Sequence, residues 1–450
     1  MEKSVFQDRK SFHESLIKIA VPVTLQSLLQ SSFSVVDQVM TGQLGSTSIA
    51  GIGLGSKFYS LYSVLVSAIA AVAGIMIAQY IGKEDKKEVG RSFYVNLIMA
   101  FGLAIIFTCI SALFPNQIMS MYTEDMATKE VAAGYLRILS VSYIPIAAGS
   151  ILSTLLRCKE AAKIPLFSSI LSAIVNTGLN YVLIFGKFGF PMLGTKGAAL
   201  ATVISQIFGF VLTLLLFLWE YKKQEWTLPF VVRMGKEKTI QYLGILLPII
   251  LCEFLWSLGE NVYASIYGHI GTGECAAMTL TTPTQVLMIG ALSGLSQAAG
   301  IMIGKSLGQN DSKKAYWEAK QLMLYGLIGA LIFSTLIIIL SPFYVRIYQV
   351  EDSVREVARL LLIAFAIVAP VKVLNMILGG GIIRSGGMTK YVMVIDIIGT
   401  WGFGVPLGYL AAFVLEWPIY LVYFLLSMEE CVRLLISLVV FKKKKWMQRL

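Results

Sequence analysis

Asp37 is the only acidic residue in the apolar run 15–39, and an ionisable group in such a run is a functional candidate because hydrocarbon tolerates it poorly. Gln26, Gln30, Ser34, Asp37 and Thr41 recur there at spacings of 4, 4, 3 and 4. At about 100° per residue they form one helical stripe, too polar to face lipid. Asn176, Asn180, Thr202 and Lys57 fall at a similar depth in their own runs, so a first-half cluster around Asp37 is expected. Two chemistries suit it: a fixed ion pair with Lys57, or a carboxylate that titrates or binds a cation. The second half carries a different set. Glu253, Ser257 and Glu260 share a helical face, Lys372 and Glu253 come out near mid-membrane, and Asp396 lies somewhat nearer the cytoplasm. A Lys372–Glu253 or Lys372–Asp396 pair is expected, alongside a substrate or coupling role for the acids. Glu429 and Arg433, four residues apart, should pair with each other. Trp256, Met288, Trp401 and Phe403 are candidate pocket residues, since thioethers and aromatic faces suit amphipathic cations.

Other chemistries lack their residues. His13 and His269 are the only histidines, and the five cysteines lie apart with no CxxC, so reduced packed thiols are expected and neither an enzyme site nor a metal site. The glycine-rich stretches at 51–56 and 379–381 follow no strand and precede no GKS or GKT, so they read as close helix packing rather than nucleotide binding. No cofactor is expected beyond a coupling ion.

The elements that must position these groups are membrane helices. Of 450 residues 56% are hydrophobic and 14% charged, with a mean hydropathy of +0.74. A soluble domain carries roughly a quarter charged residues. The long, non-alternating runs exclude a barrel and place spans near 15–39, 51–78, 93–114, 131–156, 165–186, 198–219, 242–267, 275–303, 321–341, 357–383, 390–412 and 417–441. Pro22, Pro165, Pro248 and Pro418 are read near helix starts, where a missing N–H matters least. The polar first 15 residues hold no apolar targeting stretch, so the first span should direct insertion. Most of the 37 Lys and Arg residues fall in one alternate set of loops and tails, Arg157 and Arg384 among them. That places both termini in the cytoplasm and the chain in the cytoplasmic membrane. The net charge of +11 is then a topology signal, the KKKK run at 442–445 included, and no nucleic-acid partner is expected.

Residues 74–85, GIMIAQYIGKED, return as GIMIGKSLGQND at 300–311, an offset of 226 (300 − 74) that also maps Pro22 onto Pro248, Gly45 onto Gly271 and Asp85 onto Asp311. Arg157 falls on Arg384 at 227 (384 − 157). The fold class expected is therefore all-α and membrane-integral, with twelve transmembrane helices in two six-helix lobes related by a parallel repeat. The expected bounds are 1–219 and 242–450, joined by a cytoplasmic linker at 220–241. Parallel repeats are a transporter arrangement, and lobes rocking about a central cavity would give alternating access.

Three separated segments carry a resemblance over nearly the whole chain: PVTLQSLLQSSFSVVDQVMTGQLG at 22–45, NTGLNYVLIFGKFGFPMLGTKGAALATVISQ at 176–206 and IIRSGGMTKYVMVIDIIGTWGFGVPLGYL at 382–410. They resemble the multidrug and toxic compound extrusion family. The resemblance implies export of small amphipathic, often cationic compounds in exchange for H+ or Na+, by a protein expected to act as a monomer. It implies a first-lobe cation site, for a proton or a sodium ion, at Asp37 and Asn176, with Asn180 where the family often has an Asp. Gln30 and Ser34 of the stripe would then line the substrate cavity. The competing expectation is a flippase for lipid-linked oligosaccharides of the same broad superfamily, which many basic residues inside the cavity would favour.

Overall fold

The computed structural model describes residues 2–348 and 350–450, with the side chains of 2–9, 35, 46, 272, 273, 275 and 276 outside the description. Every regular element among the described residues is helical, as hydrocarbon requires of a chain that cannot close a barrel. The spans are α1 (Glu2–Thr41), α2 (Ser46–Gly82), α3 (Lys86–Leu113), α4 (Met126–Cys158), α5 (Lys163–Phe185) and α6 (Thr195–Lys223) in the first half. The second half holds α7 (Lys236–Ile270), α8 (Thr272–Gly308), α9 (Ser312–Tyr344), α10 (Asp352–Ile383), α11 (Thr389–Val414) and α12 (Ile419–Ser427 and Glu429–Lys442). Among the described residues, eleven are long and apolar enough to cross a membrane as single runs. The twelfth, α12, is split by a turn at Met428. The protein is thus a twelve-helix membrane bundle in two six-helix lobes.

Most helices run past the expected bounds, because polar residues at the membrane faces continue the same helical turns. Pro22 and Pro248 consequently lie well inside α1 and α7 rather than near their starts. Pro165 and Pro418 do sit at helix starts.

Two compact units form, Leu25–Ile77 with Glu84–Met234, and Met1–Thr24 with Ala78–Lys83 and Gly235–Leu450. The polar segment after α6 divides between them. Its first part packs in the first unit, where Phe230 lies edge-on to Tyr94 at 4.7 Å. The start of α1 belongs to the second unit: Phe12 packs on Trp317 at 5.0 Å, and Thr24 Oγ1 donates to the Ala291 carbonyl at 3.1 Å. Past the basic run, Trp446 is fully buried and stacks on Phe441, which stacks on Tyr316, with Lys444 over the Tyr316 ring.

The repeat is physical as well as textual. Glu84 and Asn310, 226 apart, both adopt left-handed φ, 59° and 63°. The next residues, Asp85 and Asp311, cap α3 and α9 by accepting from the Glu88 and Lys314 N–H groups at 3.0 and 2.9 Å. Such a cap is worth about 1 kcal/mol. Within the second unit, the end of α2 crosses the end of α8: a Cβ on Gly82 would collide with the Lys305 carbonyl, and one on Gly308 with the Gln79 carbonyl. Gln79 and Lys305 are themselves repeat mates (305 − 79 = 226), so the crossing maps onto itself.

The drift of the offset from 226 to 227 also has a structural counterpart. In α4 a tight 3₁₀ turn occupies Ser140–Ser142, whereas α10 widens into a π segment at Met376–Ile383. A π turn accommodates an extra residue without breaking the helix.

The Gly82–Gly308 crossing has no room for even a methyl group. Gly308→Ala should lower the thermal midpoint of the detergent-solubilised protein, by about 1–3 kcal/mol of stability as overpacking does. Gly102→Ala, where nothing lies within 4 Å, should leave it unchanged. Equal midpoints for the two variants would contradict this packing.

Candidate functional site

In the first unit α1, α4, α5 and α6 surround a polar cavity of about 670 Å³. Gln26, Gln30, Ser34 and Asp37 line it from α1, so four residues of the stripe read from spacing face one space, whereas Thr41 is buried beyond it and donates to the Asp37 carbonyl at 3.0 Å. Along the cavity the four span about 16 Å at 1.5 Å per residue. Asn176, Thr202 and Ser205 line it from α5 and α6. Asn180 Nδ2 donates to Asp37 Oδ1 at 2.5 Å and to Asn176 Oδ1 at 3.2 Å. Asn176 Nδ2 donates to Ser205 Oγ at 3.3 Å, and Ser205 Oγ donates to the Thr202 carbonyl at 2.9 Å. The local chain makes this alignment. Gly186 ends α5 in the left-handed region at φ 65°, Leu193 N–H returns to the Leu183 carbonyl at 2.9 Å, and Gly197 lets α6 start against that same carbonyl.

Asn180 is fully buried, and its Oδ1 accepts no hydrogen bond. A buried acceptor left open beside a carboxylate is a place for a proton donor or a cation. The oxygens within the cluster are the Asp37 carboxylate, Asn176 and Asn180 Oδ1 and the Thr202 hydroxyl. Among the described residues no group of three or more His, Cys, Asp or Glu side chains could hold a metal ion. Lys57, the expected ion-pair partner of Asp37, is exposed, and no ion pair joins the two among the described residues; Asn180 takes that place. Sequence reasoning also missed Arg157. Assigned there to a loop, it ends α4, lines the cavity and donates from Nη2 to Gln26 Oε1 at 2.9 Å, while Gln26 Nε2 donates to Ser169 Oγ at 2.7 Å. Its repeat match with Arg384 was the available signal.

In the second unit the charges pair differently from expectation. Glu253 pairs with Arg384 (Nη1 to Oε1, 3.1 Å), and Asp396 pairs with Arg433 (Nη1 to Oδ1, 3.6 Å). Lys372 therefore has neither as its partner; its nearest carboxylate contact is Glu430 Oε1 at 4.0 Å. Depth along the membrane placed Lys372 near Glu253 and Asp396, but rotation about the helix axes turns them to different arginines. The Glu429–Arg433 pair is present at 3.5 Å, inside a larger network. Tyr263, at the repeat position of Asp37 (263 − 37 = 226), donates its hydroxyl to Glu429 Oε2, and Arg433 Nη2 donates to Thr400 Oγ1. Cys252 Sγ donates to Asp396 Oδ2 at 2.7 Å, and Asn375 Nδ2 to Glu430 Oε2 at 2.8 Å. Glu429, Glu430 and Arg433 are 6%, 6% and 8% exposed, so these charges depend on one another.

A cavity of about 220 Å³ opens on this network, with Glu260, Glu429, Glu430 and Lys372 in its walls among Tyr263, Tyr267, Tyr423 and Phe365. Glu260 reaches it and Glu253 does not. Neither cavity contains Trp256, Met288 or Trp401. Trp256 is 49% exposed, Met288 is buried in the core at 1%, and Trp401 is half-buried with Nε1 unbonded. Among the described residues Cys109, Cys158, Cys252 and Cys431 form no disulfide, and the Cys275 side chain lies outside the described residues.

Twelve membrane helices, duplicated, with a charged cavity within each compact unit, define a membrane transporter. A family model described as MatE matches residues 22–182 and 248–410, once in each half and starting at the repeat offset (248 − 22 = 226). The chain belongs to this family, the multidrug and toxic compound extrusion transporters, whose members transport and are not enzymes. Similar relatives include an uncharacterized transporter YisQ of Bacillus subtilis, 24% identical over 97% of this chain and 95% of that one. A probable multidrug resistance protein NorM of Thermotoga maritima is 24% identical over 88% of this chain and 85% of that one. Solved structures with the same fold include MATE in complex with MaL6, at TM-score 0.86, 18% identity and coverage of 96% and 95% of the two chains. An outward-facing multidrug resistance MATE family transporter matches at TM-score 0.85 and 18% identity, covering 96% of each.

Replacing Arg433 by Met leaves the buried Glu429 and the partly buried Asp396 without their shared cation. Removing one partner of a buried pair costs about 3–5 kcal/mol, so the thermal midpoint should drop sharply, and adding Asp396→Asn should recover part of the loss. Strictly additive losses in the double variant would exclude the pairing.

Proposed function

We propose that this transporter is an ion-coupled antiporter that exports small amphipathic, cationic compounds through the cytoplasmic membrane, with both termini in the cytoplasm, as a monomer working by alternating access. The observation that carries the reading is Asp37, a carboxylate at one end of a polar cavity with Asn176, Asn180 and Thr202 around it. A cationic substrate and a proton or sodium ion compete for such a carboxylate. Ion occupancy neutralises the charge that attracts the substrate, and substrate affinity falls by the same factor as ion affinity falls in the presence of substrate. Loss of the ion recharges Asp37 for the next substrate. The asparagine at 180 supplies one neutral oxygen where a second acid would make a more strongly anionic sodium site, and H+ and Na+ both remain within its chemistry. Similar proteins described as probable multidrug resistance proteins support export of varied compounds. The flippase reading is not favoured: the second-lobe cavity is lined by three glutamates and one lysine, the wrong balance for a phosphate-bearing lipid.

Asp37→Asn should insert and fold normally yet lose coupled uptake of a fluorescent organic cation into inside-out vesicles, with pH and sodium gradients imposed separately. Wild-type rates across pH 6 to 8 in that variant would refute the role of Asp37. Alternation can be read from single cysteines at Ser34 and Ser257, with the native cysteines replaced by serine. Labelling from outside should move in opposite senses with coupling ion and with substrate, and identical labelling under both would refute the scheme at these helices.

A further inference from the structure

The second-lobe cavity already contains a cation. Lys372 lines it from α10, its side chain 40% exposed, while the Glu430 side chain it approaches is 8% exposed. At 4.0 Å the contact is longer than a hydrogen bond. The ammonium carries three donors and makes no hydrogen bond among the described residues, whereas Glu430 is fixed independently by Asn375, which donates to its Oε2 at 2.8 Å and to its carbonyl at 2.7 Å. Charge alone holds Lys372 in place. Glu260, Glu429 and Glu430 line the cavity with Lys372, and Arg433 and Asp396 join the same charge network behind Glu429, four acids to two bases in all. Arg433 is locked between Glu429 and Asp396 and bonded to Thr400, so of the two cations only Lys372 can move aside. The repeat shows the ammonium to be peculiar to this lobe: the positions 226 and 227 residues earlier are Ile146 and Pro145, both uncharged and both lining the first-lobe cavity. Tyr263, Tyr267, Tyr423 and Phe365 supply aromatic faces that suit an organic ammonium once the lysine gives way.

We propose that Lys372 is a tethered cation that holds the place of a substrate's ammonium group in the second-lobe cavity and sets how much positive charge that cavity accepts. The inference rests on the reading that the transporter carries cationic compounds. A substrate ammonium enters by displacing Lys372 from Glu430, and the lysine thereby weakens binding of a second positive charge. Its removal opens an acidic, aromatic-walled seat.

Ethidium and propidium distinguish this from a structural role, because they share one ring system and propidium adds a quaternary ammonium on a short chain. Both are titrated by fluorescence against the purified full-length protein in detergent. Lys372→Met should bind propidium about tenfold tighter or more, with ethidium changed less than about threefold, as expected for a charge acting at a few ångströms. Lys372→Arg should match wild type. Glu430→Gln, which removes an acid, should weaken propidium relative to ethidium by a similar factor, and it reads the proposal independently if Lys372→Met does not fold. A merely structural lysine would give weaker binding of both dyes on its removal. An unchanged or reduced preference for propidium in Lys372→Met, or an unreduced one in Glu430→Gln, overturns the proposal while leaving cation export intact. Failure of both dyes to bind any of the proteins overturns the export reading and this inference with it.

Discussion

A charge withdrawn from water must find its opposite inside the protein, and in a chain this apolar few partners exist. Arg433 is the clearest instance: one guanidinium serves Glu429, Asp396 and Thr400, and both helices that carry them, α11 and α12, are irregular near it. Desolvation makes each of these groups costly alone and acceptable together. The demand propagates outward. Glu429 takes the Tyr263 hydroxyl, Asp396 takes the Cys252 thiol, and Glu253 is left to Arg384. Lys372 is the cation that this arrangement does not fix.

The two lobes show what duplication preserves and what it releases. The Asp85 and Asp311 caps, the left-handed turns before them and the Gly82–Gly308 crossing are scaffold, and they survive as near copies. The sites do not. Asp37 answers to Tyr263 in the repeat and Ser27 to Glu253, and the second lobe spreads its acids over α7, α11 and α12. A scaffold contact constrains both repeats alike because each must close the same helix crossing. A buried acid needs only a local partner, so it can shift to another helix if its cation shifts too.

That distinction explains what could be read from the residues. Helix number, duplication and the Asp37 stripe follow from periodicities that a regular α-helix obeys, and Gln26, Gln30, Ser34 and Asp37 do face one cavity. Asn176 and Thr202 join it, and Asn180 reaches Asp37 from behind its wall, because α5 and α6 are regular and sharply reversed at Gly186. The partners of Lys372, Glu253 and Asp396 were not legible. Depth fixes a residue along the membrane normal, whereas pairing depends on rotation about each helix axis. Rotation is lost wherever a π segment intervenes, and α10 contains one and α11 two. Arg157 escaped notice for a simpler reason: a basic residue at a helix end looks like any other loop charge until a glutamine on α1 is found to bind it.

The π segment of α11 shows how a local irregularity builds the site. A Cβ on Gly399 would collide with the Arg433 side chain, and one on Gly404 with the Tyr263 hydroxyl and the Glu429 carboxylate. Both glycines therefore confront the same charge network, five residues apart. In an α-helix, at 100° per residue, they would be about 140° apart and one would face away. In the π segment Ile397–Gly404 the hydrogen bonds run i to i+5, as the Val405 N–H to the Thr400 carbonyl does, and positions five apart come close to alignment. The widened turn places two side-chain-free positions on one face, and it carries Thr400 to Arg433 on the same segment. The first-lobe counterpart, α5, is regular through Lys163–Phe185 and presents Asn176 and Asn180 four residues apart, the spacing that aligns side chains on an ordinary helix. One lobe thus lines its site with amide side chains and the other makes room for an arginine and two acids, and helix register separates the two designs.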